Sequence, residues 1–209
     1  MSTVATSPAV RAAAVRRGRR LEYLTILWNS LEALIGIAAG VVAGSIALVG
    51  FGVDSVIEVS SGAVLLWRLG SDACDPRAER RERIALKLVG LSFFALALYV
   101  AAEAVKALWL RQAPERSPVG IGLAIASLIA MPLLARAKRR VARSLQSGAL
   151  QADSRQTDLC AYLSAILLGG LVLNAALGWW WADPVAGLAM LLIIVKEGVD
   201  AVKGKTCCD

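Results

Sequence analysis

The chain is expected to be all-α, a single polytopic membrane domain of six transmembrane helices, and three observations carry that expectation. Apolar runs of about 20 residues, the length a helix needs to cross a hydrocarbon core, fall at 21–41, 43–68, 86–110, 117–135, 146–176 and 184–202. These runs are continuous rather than alternating, which excludes a transmembrane β-barrel. With 57% hydrophobic residues and a mean hydropathy of +0.63, the composition is also too apolar for a soluble domain.

The net charge of +7 suggests nucleic acid as a partner until its distribution is read. Arg11, Arg16, Arg17, Arg19 and Arg20 precede the first run. Arg77, Arg80, Arg81, Arg83 and Lys87 fall between the second and third, and Arg136, Lys138, Arg139, Arg140 and Arg143 between the fourth and fifth. Lys203 and Lys205 follow the sixth. The alternate loops hold little beyond Arg111 and Arg116. Basic residues retained on one side of a bilayer put both termini in the cytoplasm, as an even span count requires. The charge is therefore a topology signal for an inner or plasma membrane protein, with anionic lipid rather than nucleic acid as its partner.

Residues 1–20, rich in Ala, Ser and Arg, read as a disordered basic cytoplasmic tail. A signal peptide opens similarly, but the run that follows carries Asn29 and Glu32 and shows no cleavage site. Asn29 and Glu32 form a polar patch in span one, a candidate accessory ligand or proton-carrying pair, and Glu32 has no partner nearby in sequence. Ionisable groups inside a bilayer cost several kcal/mol unless paired, hydrated or ligating, so each marks a site or pathway.

Span two holds the strongest such mark, Asp54 and Glu58. Residues i and i+4 share a helix face, and two like charges this close in low dielectric cannot both stay ionised unaided. A lysine or arginine would neutralise them, but span two offers only Arg68 near its edge, and Lys106 sits near the outer end of span three. A bound cation is the favoured reading. In span three, Glu103 and Lys106 are three residues apart and are expected to pair.

Span five carries Asp153, Gln156 and Cys160. At about 100° per residue, 153 and 160 differ by about 20° and 156 lies about 60° away, so one face offers a carboxylate, an amide oxygen and a thiol. Arg155 and Asp158 fall on the other side and are expected to pair with each other. This run is longer than a span needs, and its polar first third is expected in the headgroup region or lining a cavity. Trp109 and Trp179–Trp181 mark the outer interface, and Trp67 the inner one. Glycines four apart, such as Gly36, Gly40 and Gly44, suit close helix packing. After span six, residues 203–209 form a short tail whose Cys207 and Cys208 are candidates for cytoplasmic metal capture. The chain has no histidine, no phosphate-binding glycine loop and no Ser-His-Asp set, so hydrolase or kinase machinery is absent and no enzyme activity is expected.

At these residues the chain resembles the cation diffusion facilitator family. The stretch from Gly44 through Asp54 to Glu58 is similar to the family's D-x-x-x-D signature with Glu in second place. Ala152-Asp153 matches the Ala-Asp before the family's H-x-x-x-D pair, and Ala182-Asp183-Pro184 resembles its usual opening of helix six. The resemblance implies a tetrahedral site between helices two and five, usually for zinc, from which the cation leaves the cytoplasm in exchange for protons. Asp54 and Glu58 would be the span-two ligands. The H-x-x-x-D positions fall on Gln156 and Cys160, which both depart from the pattern. Asp153 is expected to supply the lost carboxylate, giving an Asp54, Glu58, Asp153 and Cys160 set assisted by Gln156. Relatives carry a cytoplasmic metal-binding domain after helix six; here only the short tail follows, so a homodimer is expected to form through the membrane helices.

Carboxylates and an amide suit manganese, iron or magnesium, while a thiolate pulls toward zinc, cadmium or cobalt; zinc is the first candidate. Loading must displace protons from these ligands, with Glu58, Asp153 or Glu32 as carriers. Two alternatives stand beside the exporter: a non-transporting, metal-responsive or partner-binding membrane subunit on the same scaffold, and a transporter of organic cations.

Overall fold

A computed structural model describes residues 8–69, 76–145 and 148–203. They form six α-helices: α1 (Pro8–Ala43), α2 (Ile46–Leu69), α3 (Pro76–Leu110), α4 (Pro118–Leu145), α5 (Gly148–Leu177) and α6 (Ala182–Val202). Five of the six are long and apolar enough to cross a membrane. The exception, α6, carries Asp183, Lys196, Glu197 and Asp200.

The apolar runs mark where each helix is greasy and fall short of where it ends. Residues 8–20, expected to be a disordered tail, are the opening turns of α1. Proline at a first helical position is favourable because its missing N–H is not needed there, and the Ala and Arg that follow are strong helix formers. The basic residues expected between spans two and three ride on α3, and those between four and five ride on α4, which continues to Leu145. The basic sequence therefore continues the helices rather than forming loops. Pro132 lies inside α4, where its ring removes one rung of the hydrogen-bond ladder.

The helices close into a ring. Contacts run α1 to α2, α2 to α3, α3 to α6, α6 to α5, α5 to α4 and α4 back to α1, while α2 also leans across to α5 and α6. The α1–α2 hairpin turns at Gly44, whose φ of +65° suits glycine. Beyond the turn the two backbones nearly touch: a Cβ on Gly52 would come within 2.7 Å of the Ile37 nitrogen. Small residues let helices approach this closely where no hydrophobic drive separates them from lipid.

Polarity is distributed inside out. Leu98, Leu192 and Trp109 are 73%, 80% and 85% exposed, whereas Glu22, Asn29, Glu32, Asp54, Glu58, Lys138 and Asp183 are all buried. Outward apolar faces around inward charges belong to a bundle solvated by lipid. Trp179 and Trp181 stack with ring centroids 4.9 Å apart at the α5–α6 turn. Trp109 ends α3 at that same end of the ring, as an interfacial aromatic belt requires.

Asp183 joins α6 to α2 there. One of its oxygens pairs with the Ser45 hydroxyl. The other accepts the Ile46 N–H at 2.8 Å and the Ala47 N–H at 3.5 Å. These are opening N–H groups of α2, which no residue of α2 itself satisfies, so a buried carboxylate from another helix caps the helix that bears Asp54 and Glu58.

Candidate metal centre

Helix α2 sets Asp54 and Glu58 one turn apart on its inward face, and α5 brings Cys160 against them. One carboxylate oxygen from each acid and the Cys160 sulfur lie within 4.8 Å of one another, all three residues buried. The Cys160 thiol donates to Glu58 Oε1 at 2.6 Å. The Asn29 amide, from α1, donates to Glu58 Oε2 at 2.6 Å. Glu58 is therefore held on both oxygens, one by a group that can itself ligate once deprotonated and the other by a neutral amide that fixes its orientation. A small cavity of about 10 Å³ opens beside the trio, lined in part by Asp54, Glu58, Gln156, Cys160 and Glu197. That is about the room one water-sized body needs.

Neutralisation by a basic side chain is not the arrangement seen. The ion pairs among the described residues join Lys106 to Glu103, Lys138 to Glu22 and Asp153, and Arg139 to Asp158. None falls on Asp54 or Glu58. Two buried carboxylates beside a thiol, with no ammonium or guanidinium between them, form a donor set that a divalent cation would complete.

The other sequence-predicted residues divide. Gln156 lines the cavity, and its Oε1 accepts the Ser61 hydroxyl at 3.4 Å. Asp153 is placed apart from the trio: its Oδ2 lies 2.7 Å from Lys138 Nζ. Asn29 borders the site with its own Oδ1 buried and without a hydrogen-bond partner. Glu32 has a partner four residues earlier, contrary to the sequence expectation. Trp28 Nε1 donates to its Oε1 at 2.5 Å, and Ser55 on α2 donates to its Oε2 at 3.4 Å. The expected Arg155–Asp158 pair is replaced by Arg139–Asp158, because α4 packs along α5 and delivers a guanidinium from the next helix. Glu103 and Lys106 do pair, at 3.2 Å. Cys207 and Cys208 lie outside the described residues.

Three residues escaped the sequence reading. Glu197 on α6 lines the cavity. Glu22 and Lys138, both fully buried, form an ion pair at 3.0 Å. A signal for Glu22 was present: Glu22, Thr25, Asn29 and Glu32 recur at three- and four-residue spacing, one face of a helix, and all four are buried.

Comparison with known proteins identifies the family. A family model described as the cation efflux transmembrane domain matches residues 23–205. The chain is 28% identical over 180 residues to transmembrane protein 163 of Xenopus laevis, covering 86% of this chain and 64% of the relative. It is 29% identical over 183 residues to an uncharacterised transporter of Methanocaldococcus jannaschii, covering 85% and 64%. A cadmium, cobalt and zinc/H(+)-K(+) antiporter of Bacillus velezensis is 27% identical over 131 residues, covering 60% and 40%. The chain thus spans less than two thirds of the length of these relatives. A helical bundle with buried acids on its second helix, matched over nearly its whole length by that one domain, belongs to the cation efflux family of membrane transporters.

Proposed function

We propose that this chain carries a divalent transition-metal ion, zinc first, out of the cytoplasm in exchange for protons, with both termini on the cytoplasmic side. Asp54, Glu58 and Cys160 are the ligands, and Gln156 is the nearest further donor. The observation that carries the reading is the trio itself, two buried carboxylates and a thiol with donor atoms within 4.8 Å and, among the described residues, no basic side chain paired to them. The antiporter relative supports the class of substrate.

The coupling follows from the ligands. A thiol and paired carboxylates bind metal only when deprotonated, so loading releases protons and protonation releases metal. Exchange against a proton gradient then needs no histidine. Alternating exposure of the centre would come from helices rocking about it.

Purified protein in liposomes containing a metal-sensitive dye, under an imposed pH gradient, tests this directly. Zinc, cadmium, cobalt, iron and manganese would be offered to wild type and to Asp54→Ala. Uptake of at least one ion that collapses in the variant is expected. Absence of flux for every ion, from protein shown to be folded and inserted, overturns the proposal.

A further inference from the structure

Lys138 belongs by sequence to a basic run, and its neighbours Arg136, Arg139 and Arg140 behave as such a run should, none of them buried. Lys138 instead is 0% exposed. Its ammonium lies 3.0 Å from Glu22 Oε2 on α1 and 2.7 Å from Asp153 Oδ2 on α5, and it donates to Thr157 Oγ1 at 3.4 Å. The cluster thus sets one cation against two carboxyl groups in a largely buried place. Its remaining capacity is visible: Glu22 Oε1 is buried without a hydrogen-bond partner. That oxygen lies against Gly62 of α2, where a Cβ would come within 2.5 Å of it.

The position is as informative as the charge. Asp153 precedes Cys160 by seven residues on α5, about 10 Å along the helix, toward the end of the bundle that bears the chain termini. Ser61 and Gln156, hydrogen-bonded to each other at 3.4 Å, lie at the levels between. On α1, Glu22 and Asn29 are likewise seven residues apart on one buried face. Two acids thus sit below the trio on the same two helices that supply Cys160 and Asn29.

We propose that Glu22 and Asp153 build a second cation site on the termini side of the metal centre, in which the Lys138 ammonium is the resident cation and is exchanged for the metal ion in passage. The site would take a divalent metal through two carboxylate oxygens and the Thr157 hydroxyl, a harder donor set than the trio. Lys138 then has two roles: it keeps the site from trapping metal permanently, and on displacement it frees Asp153. The proposal rests on the metal centre only for the direction in which the ion moves.

The experiment counts zinc ions bound per chain at equilibrium on full-length protein in lipid nanodiscs. It compares Asp54→Ala with Asp54→Ala/Lys138→Met, so that the trio contributes to neither. Removing the ammonium is expected to add one zinc ion per chain, and adding Glu22→Gln is expected to remove it again. An unchanged count in the folded Lys138→Met protein overturns the proposal, as does an extra ion that survives Glu22→Gln. Zinc binding lost on Asp54→Ala reports on the trio, so the two readings fail separately. Should Lys138→Met not fold, reductive methylation of wild type decides. Zinc at ten times its half-saturating concentration fills about nine tenths of such sites, so Lys138 labelling is expected to rise from the low level of a buried ammonium to about nine tenths of chains. Labelling indifferent to zinc overturns the proposal.

Discussion

Cys160→Ser exchanges a polarisable sulfur for a hard oxygen on a side chain of the same length, at a position where the sulfur lies 2.6 Å from Glu58. Soft ions depend on thiolate more than hard ones do, so cadmium binding is expected to fall further than manganese binding. Titrations of both ions against wild type and variant would show it, and equal losses would remove Cys160 from the ligand set. Asn29→Ala tests a different dependence. The amide holds the far oxygen of Glu58, and loss of such an outer partner costs about 10–100-fold in metal affinity; unchanged zinc affinity would make the hydrogen bond incidental. Because the proposed ligands would bind metal only when deprotonated, zinc affinity is also expected to be weaker at pH 6 than at pH 8, and a flat profile would break the link to proton exchange. Asp54 and Glu58 were legible from sequence because their spacing alone puts them on one face of one helix. Asp153 was legible as an acid in a span, but its partner was not. The ammonium that claims it comes from α4, and nothing in the order Arg136, Lys138, Arg139, Arg140 distinguishes the one that turns inward. Asp158 shows the same limit, since its guanidinium arrives from the neighbouring helix rather than from Arg155.

At the scale of the element, hydropathy finds where a helix meets lipid and says little about where it stops. The six apolar runs each correspond to a helix, yet α1, α3 and α4 run on through basic sequence that no apolar periodicity marks. Strong helix formers propagate an existing helix at little cost. The polar first third of α5, expected near headgroups or in a cavity, turns its buried residues to the bundle interior, where Asp153 and Thr157 meet Lys138. Asp183 exerts the clearest control of one element over another. Asp183→Ala removes a buried charged acceptor from the Ser45 hydroxyl and two N–H groups at the start of α2, a loss worth about 1–3 kcal/mol. Thermal unfolding in detergent is expected to shift down accordingly. Metal flux should fall with it, because the cap sets the register of the helix that carries Asp54, although Asp183 itself touches no ligand. A variant with unaltered unfolding would show that α2 keeps its place without the cap.

For the molecule as a whole, the ring of six helices poses a mechanical problem: an ion held by the three buried side chains would pass through only if some contact on each side opened. On the termini side, α2 and α5 touch at Ser61 and Gln156, whose side chains meet at 3.4 Å. Both lie about one turn from the ligands on their own helices, Ser61 beyond Glu58 and Gln156 before Cys160. If that contact parts whenever the centre opens toward the termini, a covalent bond there should hold the protein closed on that side while leaving Asp54, Glu58 and Cys160 free. Ser61→Cys/Gln156→Cys, with Cys74, Cys207 and Cys208 replaced by serine and Cys160 retained, supplies the bond. Zinc flux in liposomes is expected to stop on oxidation and to return with reductant, while Ser61→Cys alone transports in both conditions and Gln156→Cys alone, which alters a donor and places a thiol one turn from Cys160, gives the baseline against which the double variant is read. Inhibition that reductant does not reverse would point to damage at Cys160. Undiminished flux through the oxidised, cross-linked protein would mean that α2 and α5 move as one body, and the opening would then have to lie between α1 and α4 or between α3 and α6, the remaining contacts of the ring that join non-consecutive helices without involving either of them.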